Sequence, residues 1–341
     1  MKPARSIMVD AASPVPADAR RNARQVVELL GAARPGTRVL VLCDAHTQAN
    51  ARLLEAAVAD CGAVLSSMQI DHSAAHGRPL PDAAAAAMQQ ADLVIGITRA
   101  NITHTDARRA ATQAGVGVIV LPESDRPDFF LARGWDADFT GLRPTIEALA
   151  DALTQASTAR VVSHQGTDIT MRIDGRRGRA LHGFANTRDI SAGYCLEASL
   201  APVEGSANGV IVVNASIPGV ARIAAQPVRI RIEHGMAVAI EGGAEAEAFR
   251  RLLQGFDDPL VYNLGELGVG MNPCCEIDGT MLSDESVHGA IQLALGSSLY
   301  IGGAVKAAAH YDTILTGAEL HLDGKVVVGQ TDSTGMTGVW V

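Results

Sequence analysis

Between residues 20 and 155, short β-branched runs alternate with alanine-rich stretches of helical length. "TRVLVLCD" (37–44), "AVLSSMQI" (63–70), "LVIGIT" (93–98) and "VGVIVLP" (116–122) read as strands, with helices at about 46–60, 81–91 and 105–114 between them. Such alternation predicts a parallel sheet covered on both faces. After "LADALTQAS" (149–157), read as the end of a linking helix, the texture changes to strand-length runs broken by Gly and Asp. "GTDITMRIDG", "NGVIVVNASI", "PVRIRIEHGMAVAIEGG" and "AELHLDGKVVVGQ" alternate apolar and polar positions, which predicts antiparallel hairpins. One amphipathic helix, "AEAEAFRRLLQGF" (244–256), interrupts them. The expected fold is an α/β N-terminal domain with a parallel sheet (1–155), followed by a mainly β (α+β) metal-binding domain (156–341).

A length of 341 residues also suits two domains better than one core. The net charge of −9 argues against a surface that tracks nucleic-acid phosphates. No apolar stretch reaches membrane-spanning length, and the opening "MKPARSIMVDAASPVPADARRNARQ" lacks a secretory apolar core, so a cytoplasmic location is expected. Cys43, Cys61, Cys195, Cys274 and Cys275 form no CxxC pair, and their odd number fits a reducing compartment. The turn after the first strand, "CDAHTQAN", has no glycine to clear space for a pyrophosphate, which excludes dinucleotide binding.

The candidate chemistry lies in the β-rich half. In "KAAAHYDTILT" (306–316), His310 and Asp312 are two apart on a strand-like run, so their side chains share a face. Glu197 in "YCLEASLAP" and Glu266 in "YNLGELGVGMNP" are likewise set among apolar and glycine neighbours, with Gly265 and Gly268 permitting close packing around Glu266. Unpaired charge there is expensive, and the economical resolution is that the four groups meet around a divalent transition metal, Zn, Mn or Fe(II). A single His-x-Asp on a strand is commonly just a satisfied pair. His72 and His76 have i, i+4 spacing but lie in a turn-forming loop, where solvation explains them better. His104 precedes a helix that Thr105 can cap, and can face a ligand at the end of a parallel strand. His288 lies close in sequence to the proposed site with its direction unfixed, "FDDP" (256–259) reads as a turn, and Trp135, Phe184, Tyr194 and Tyr262 are candidates to line a pocket.

In order along the chain, "NITHTDARRAA", "GTDITMRI", "LEASLAP", "GELGVGMNP", "DES", "ALG" and "HYD" resemble motifs of the thermophilic leucyl aminopeptidase (aminopeptidase T) family. The resemblance covers most of the chain and is more specific after residue 160. It implies an α/β domain before a two-metal domain, a homo-oligomer, often a dimer, and Glu197, Glu266, His310 and Asp312 as metal ligands. Gln292 stands where that family has a histidine, and Leu299 where its catalytic tyrosine falls, with Tyr300 one residue beyond. The segment "GGAVKAAAHYD" also resembles the iron-binding segment of the related 2,5-dihydroxypyridine 5,6-dioxygenases, which share the loss of that histidine but carry another where this chain has Glu266.

Two enzyme readings follow. The first is a metal-dependent hydrolase of an amide in a peptide or small molecule, with Glu197 and Glu266 catalytic as well as ligating and a metal-bound water as the nucleophile. The alternative is mononuclear Fe(II) cleavage of a hydroxylated pyridine. The acid-rich ligand set puts the hydrolase first, with His104, His288, Gln292 and Tyr300 as candidates for the substrate pocket.

Overall fold

The computed structural model describes residues 16–71, 77–186, 189–330 and 337–339; His72 and His76 fall outside them. Four parallel strands form the first sheet, in the order Val64–Gln69, Arg38–Cys43, Leu93–Ile97, Gly117–Leu121. Helices Gln48–Asp60, Asp82–Met88 and Asp106–Gln113 make the crossovers. Side chains of the central strands alternate between two cores, Val39, Val41 and Ile95 on one face and Leu40, Leu42 and Val94 on the other. Val64–Gln69 differs from the other three strands. It is the sheet edge, with Val64 54% and Leu65 39% exposed.

The linking helix, Phe139–Gln155, ends within the "LADALTQAS" stretch read as its tail and contains Pro144 in its second turn. Beyond it lie two eight-stranded sheets whose pairings are antiparallel. The hairpin Val228–Glu233/Met236–Glu241 turns through His234 and Gly235, and Ala318–Leu322/Lys325–Gln330 through Asp323 and Gly324, all at positive φ. Two successive positive-φ residues match the right-handed twist of the flanking strands, which is why the motifs there read "HG" and "DG". Asp323 also accepts hydrogen bonds from the amides of Ser157 and Thr158, tying this hairpin to the start of the β-rich half. One core runs without a break from Val26 through Ile146 to Leu320, so both halves of the chain bury a shared surface.

Gly209 marks a place where backbones approach closely. It lies in Asn208–Val213 at φ 141°, and a Cβ there would sit 2.2 Å from the carbonyl oxygen of Asp168 on the paired strand. Gly209→Ala is expected to destabilise the protein by about 2–4 kcal/mol, from backbone strain plus overpacking. Urea unfolding should show a lower midpoint at unchanged slope; an unchanged midpoint would contradict the tight strand pairing.

Candidate metal centre

The register of one antiparallel sheet assembles the site. Arg179–Leu181, Glu197–Leu200, Leu264–Gly270 and Ile291–Gly296 lie side by side, with Arg179 opposite Ser199, Ser199 opposite Gly268 and Gly268 opposite Gln292. Residues two apart share a face, so Glu197 and Glu266 project with Arg179, Ser199 and Gln292. Ala198, Leu200, Leu267, Leu293 and Leu295 point the other way into the core. Gly268 has a local reason to be glycine: a Cβ would lie 2.5 Å from Nε2 of Gln292, the side chain that crosses above it. His310–Tyr311 joins the same sheet, with His310 opposite Gly296. Gly296 has φ 117°, and a Cβ there would meet the carbonyl oxygen of Ala309 at 2.0 Å, so only glycine admits the histidine strand.

At the centre, His310 Nδ1 donates to the carbonyl oxygen of Ser297 at 2.8 Å. That bond fixes the ring and directs Nε2 at Glu266 Oε2 (3.0 Å) and Asp312 Oδ2 (3.6 Å). Glu266, His310 and Asp312 each offer one ligand atom, all within 4.8 Å of one another. Cys195, Glu197 and Glu285 make a second such group. Glu197 accepts hydrogen bonds from Ser199 Oγ (3.0 Å) and from Nε2 of Gln292, and Cys195 Sγ lies 3.9 Å from Glu285 Oε2. Arg179, itself buried, stands 3.9 Å from Glu266 Oε1 and 3.5 Å from Asp189.

All of these side chains except Ser199 and Asp189 face one cavity of about 830 Å³. His104, Gln292 and Tyr300 line it too. The His104 ring stacks on His310 with centroids 4.9 Å apart, and the Tyr300 ring follows at 5.7 Å from His104. Thr105 caps the helix behind His104, accepting from the Arg108 amide, and so holds it at the mouth of the parallel sheet. His288 is absent from the cavity wall, a correction to its place among the pocket candidates: it follows the turn at Val287 that passes behind Gly270. Trp135 and Tyr194 are also not wall residues. They meet each other edge to face inside the core, where Trp135 also meets Phe129 edge to face, and the aromatic wall is made by Phe256, Tyr300 and Tyr311.

Sequence reasoning passed over Arg179 and Glu285. Arg179 sits in the charged run "DGRRGRA", which reads as solvated, and only its pairing with Ser199 turns it inward. Glu285 belongs to the "DES" motif, a signal that was available, but the short helix Met281–Asp284 decides where it points.

Crowding of carboxylates governs the electrostatics. Burial pushes Glu197 up to about 8, and the charge of Glu266 adds to the effect. Burial, then Asp312 and Glu197, drives Glu285 well above the ordinary carboxylate range. Burial would also raise Glu266, but the hydrogen bond and charge of His310, with Arg179 behind, bring it below its usual value. Desolvation disfavours the imidazolium of His310, yet Asp312 and Glu266 outweigh it and hold the group well above 6.5. A proton on His310 thus stands where a cation would bind, and the donor set of one imidazole and two carboxylates suits a divalent transition metal.

A family model described as 2,5-dihydroxypyridine 5,6-dioxygenase (NicX) matches residues 23–334. A 2,5-dihydroxypyridine 5,6-dioxygenase of Pseudomonas putida is 25% identical over 261 residues, covering 72% of each chain. Among solved structures, a 2,5-dihydroxypyridine dioxygenase from P. putida KT2440 superposes with a TM-score of 0.78 at 23% identity, over 93% of this chain and 97% of that one. AmpT from Thermus thermophilus superposes with a TM-score of 0.63 at 14% identity, over 94% and 97%, a likeness of fold. The family match overturns the amide hydrolase expected from the acid-rich ligands. Carboxylates with one imidazole serve iron as well as hydrolytic metals, so the donor set did not discriminate. The amide of Gln292 is committed to Glu197.

A divalent ion must displace the His310 proton, so binding should release protons and tighten as pH rises through the elevated His310 range. Calorimetry with Mn(II) or Co(II) in buffers of different ionisation enthalpy measures both. His310→Ala and Asp312→Ala should each weaken binding by at least about tenfold. Unchanged affinity in both variants would remove the metal from this cluster.

Proposed function

Since the chain belongs to the 2,5-dihydroxypyridine 5,6-dioxygenase family, we propose that it is an iron(II)-dependent dioxygenase that opens the ring of a hydroxylated pyridine such as 2,5-dihydroxypyridine. The observation that carries this reading is the cluster of Glu266, His310 and Asp312 at the wall of a cavity, with a second imidazole, His104, stacked against it. Those three residues would hold the iron. Iron(II), when bound, supplies the chemistry by which molecular oxygen reacts with an organic ring. Both oxygen atoms enter the opened product, so no external reductant is needed.

The chain's own residues prepare the ring. His104 takes the proton of a ring hydroxyl, since among the described residues it is the cavity-wall histidine outside the metal cluster. Arg179 offsets part of the negative charge that two ligating carboxylates bring. Ser199 and Gln292 orient Glu197, whose carboxyl, pushed up to about 8, keeps its proton at neutral pH and can donate a hydrogen bond to a hydroxyl oxygen of the bound ring. Phe256, Tyr311, Met281 and Leu282 present apolar surface that keeps bulk water from the reacting ring.

The test is oxygen uptake by iron(II)-reconstituted protein with 2,5-dihydroxypyridine, followed alongside loss of the ring absorbance. One oxygen should disappear per ring opened. Iron bound without oxygen consumption would end this reading. His104→Ala should lower kcat/KM by about 10²- to 10⁴-fold while iron affinity stays within about twofold, as expected for a lost proton acceptor.

A further inference from the structure

We propose that the preferred substrate is a dihydroxylated pyridine extended by an uncharged apolar substituent, which lies in a lobe of the cavity between the helices Asp82–Met88 and Asp106–Gln113. This rests on the oxygenase reading and names the class of ring it takes. The first observation is size. A cavity of about 830 Å³ falls near the top of the range, about 300–1,000 Å³, that holds drug-sized ligands, and a single six-membered ring with two hydroxyls fills a minor part of it.

The second observation is where the spare space lies. The two helices pack against each other. They turn Ala84, Met88 and Ala111 into the apolar core, while Ala85, Ala107 and Ala110 stay half-buried and line the cavity with Leu80. Ala107 and Ala110 are three apart and share a helix face. At each of these three positions the wall carries no more than a methyl, so a larger apolar side chain there would take up cavity space. This part of the wall adjoins the candidate metal centre, because His104, stacked on His310, directly precedes the Thr105 cap of the second helix. Ala110 lies five residues beyond that cap, about 7–8 Å further along the helix axis.

The third observation is charge. Asp82, Gln89 and Asp106 form the polar edge of this lobe. Asp106 accepts a hydrogen bond from Tyr300 at 3.2 Å and lies 3.6 Å from Lys306, so the cation there is already engaged. A carboxylated substituent would meet two acids and an occupied lysine, whereas an alkyl chain meets Leu80 and three alanine methyls.

The experiment compares iron(II)-reconstituted protein on 2,5-dihydroxypyridine, its 4-butyl derivative and its 4-carboxylate, by oxygen uptake and by anaerobic calorimetric binding. The butyl ring should exceed both others in kcat/KM by at least about tenfold, a modest share of what three buried methylenes and a terminal methyl contribute. Ala110→Leu and Ala85→Leu, which fill the lobe from different helices, should each reduce the butyl-to-unsubstituted ratio by about tenfold or more. Should a variant fail to fold, the wild-type binding ratio still decides the matter. Equal or weaker handling of the butyl ring, with the unsubstituted ring turned over, overturns this inference and leaves the oxygenase reading standing. Absence of oxygen uptake and of binding with all three rings overturns both.

Discussion

Four carboxylates, Glu197, Glu266, Glu285 and Asp312, face one cavity, and the rest of the site is arranged around the cost of holding them there. Charges withdrawn from water repel one another strongly where the surroundings are apolar, and they must share protons, pair with cations or bind a metal. The protein uses the first two devices directly. Glu197 and Glu285 are pushed toward their neutral forms, while His310 is held charged against Glu266 and Asp312. Arg179 is the further buried cation beside them. The frame is thereby poised for a divalent ion, since metal binding replaces a proton with two charges at the centre of the crowd.

Holding such a crowd needs a stiff frame, and the sheet provides one. Its opposite face is packed with Leu200, Leu267, Leu293 and Leu295, so a slip of one residue in register would bury the carboxylates among leucines. Glycines at 268 and 296 are the local condition for the arrangement: one leaves room for Gln292 and the other for the histidine strand. The N-terminal half contributes through contact. The Glu123 carboxylate accepts from the Met281 amide at 2.9 Å, and Asn101 reaches the Met281 sulfur. The turn that carries Glu285 is therefore set by both halves of the chain, as is the cavity itself.

Much of this was legible in residue order and some was not. His310 and Asp312 declare themselves through a spacing of two in a strand, and Glu197 and Glu266 through apolar surroundings that would not tolerate a lone charge. The parallel sheet is legible too, because beyond the exposed Arg38 its inner strands Arg38–Cys43 and Leu93–Ile97 are apolar throughout. Its edge is not: "AVLSSMQI" has the composition of a strand, but only the sheet order shows that it has one neighbour. Arg179 and Glu285 escape because their direction comes from pairing and from a single helical turn, long-range facts that local spacing does not encode. His288 misleads for the converse reason, being near the site along the chain and outside the cavity wall in space.

The reaction is the least legible level, and the physical reason lies in the ligands. Glu266, His310 and Asp312 form a donor set that suits a divalent metal but leaves its use open, because imidazole and carboxylate donors serve Lewis-acid and oxygen chemistry alike. What separates the two outcomes is what can reach the metal. A hydrolase must position a water against a carbonyl, whereas a ring-opening oxygenase must shield an electron-rich ring from bulk water and remove its proton at the right edge. A second imidazole stacked on His310 and an apolar wall of Phe256, Tyr311 and Met281 meet the second requirement. Function in this fold therefore resides in the cavity that the two halves enclose, and the carboxylate cluster at its wall is a shared foundation on which either chemistry can be built.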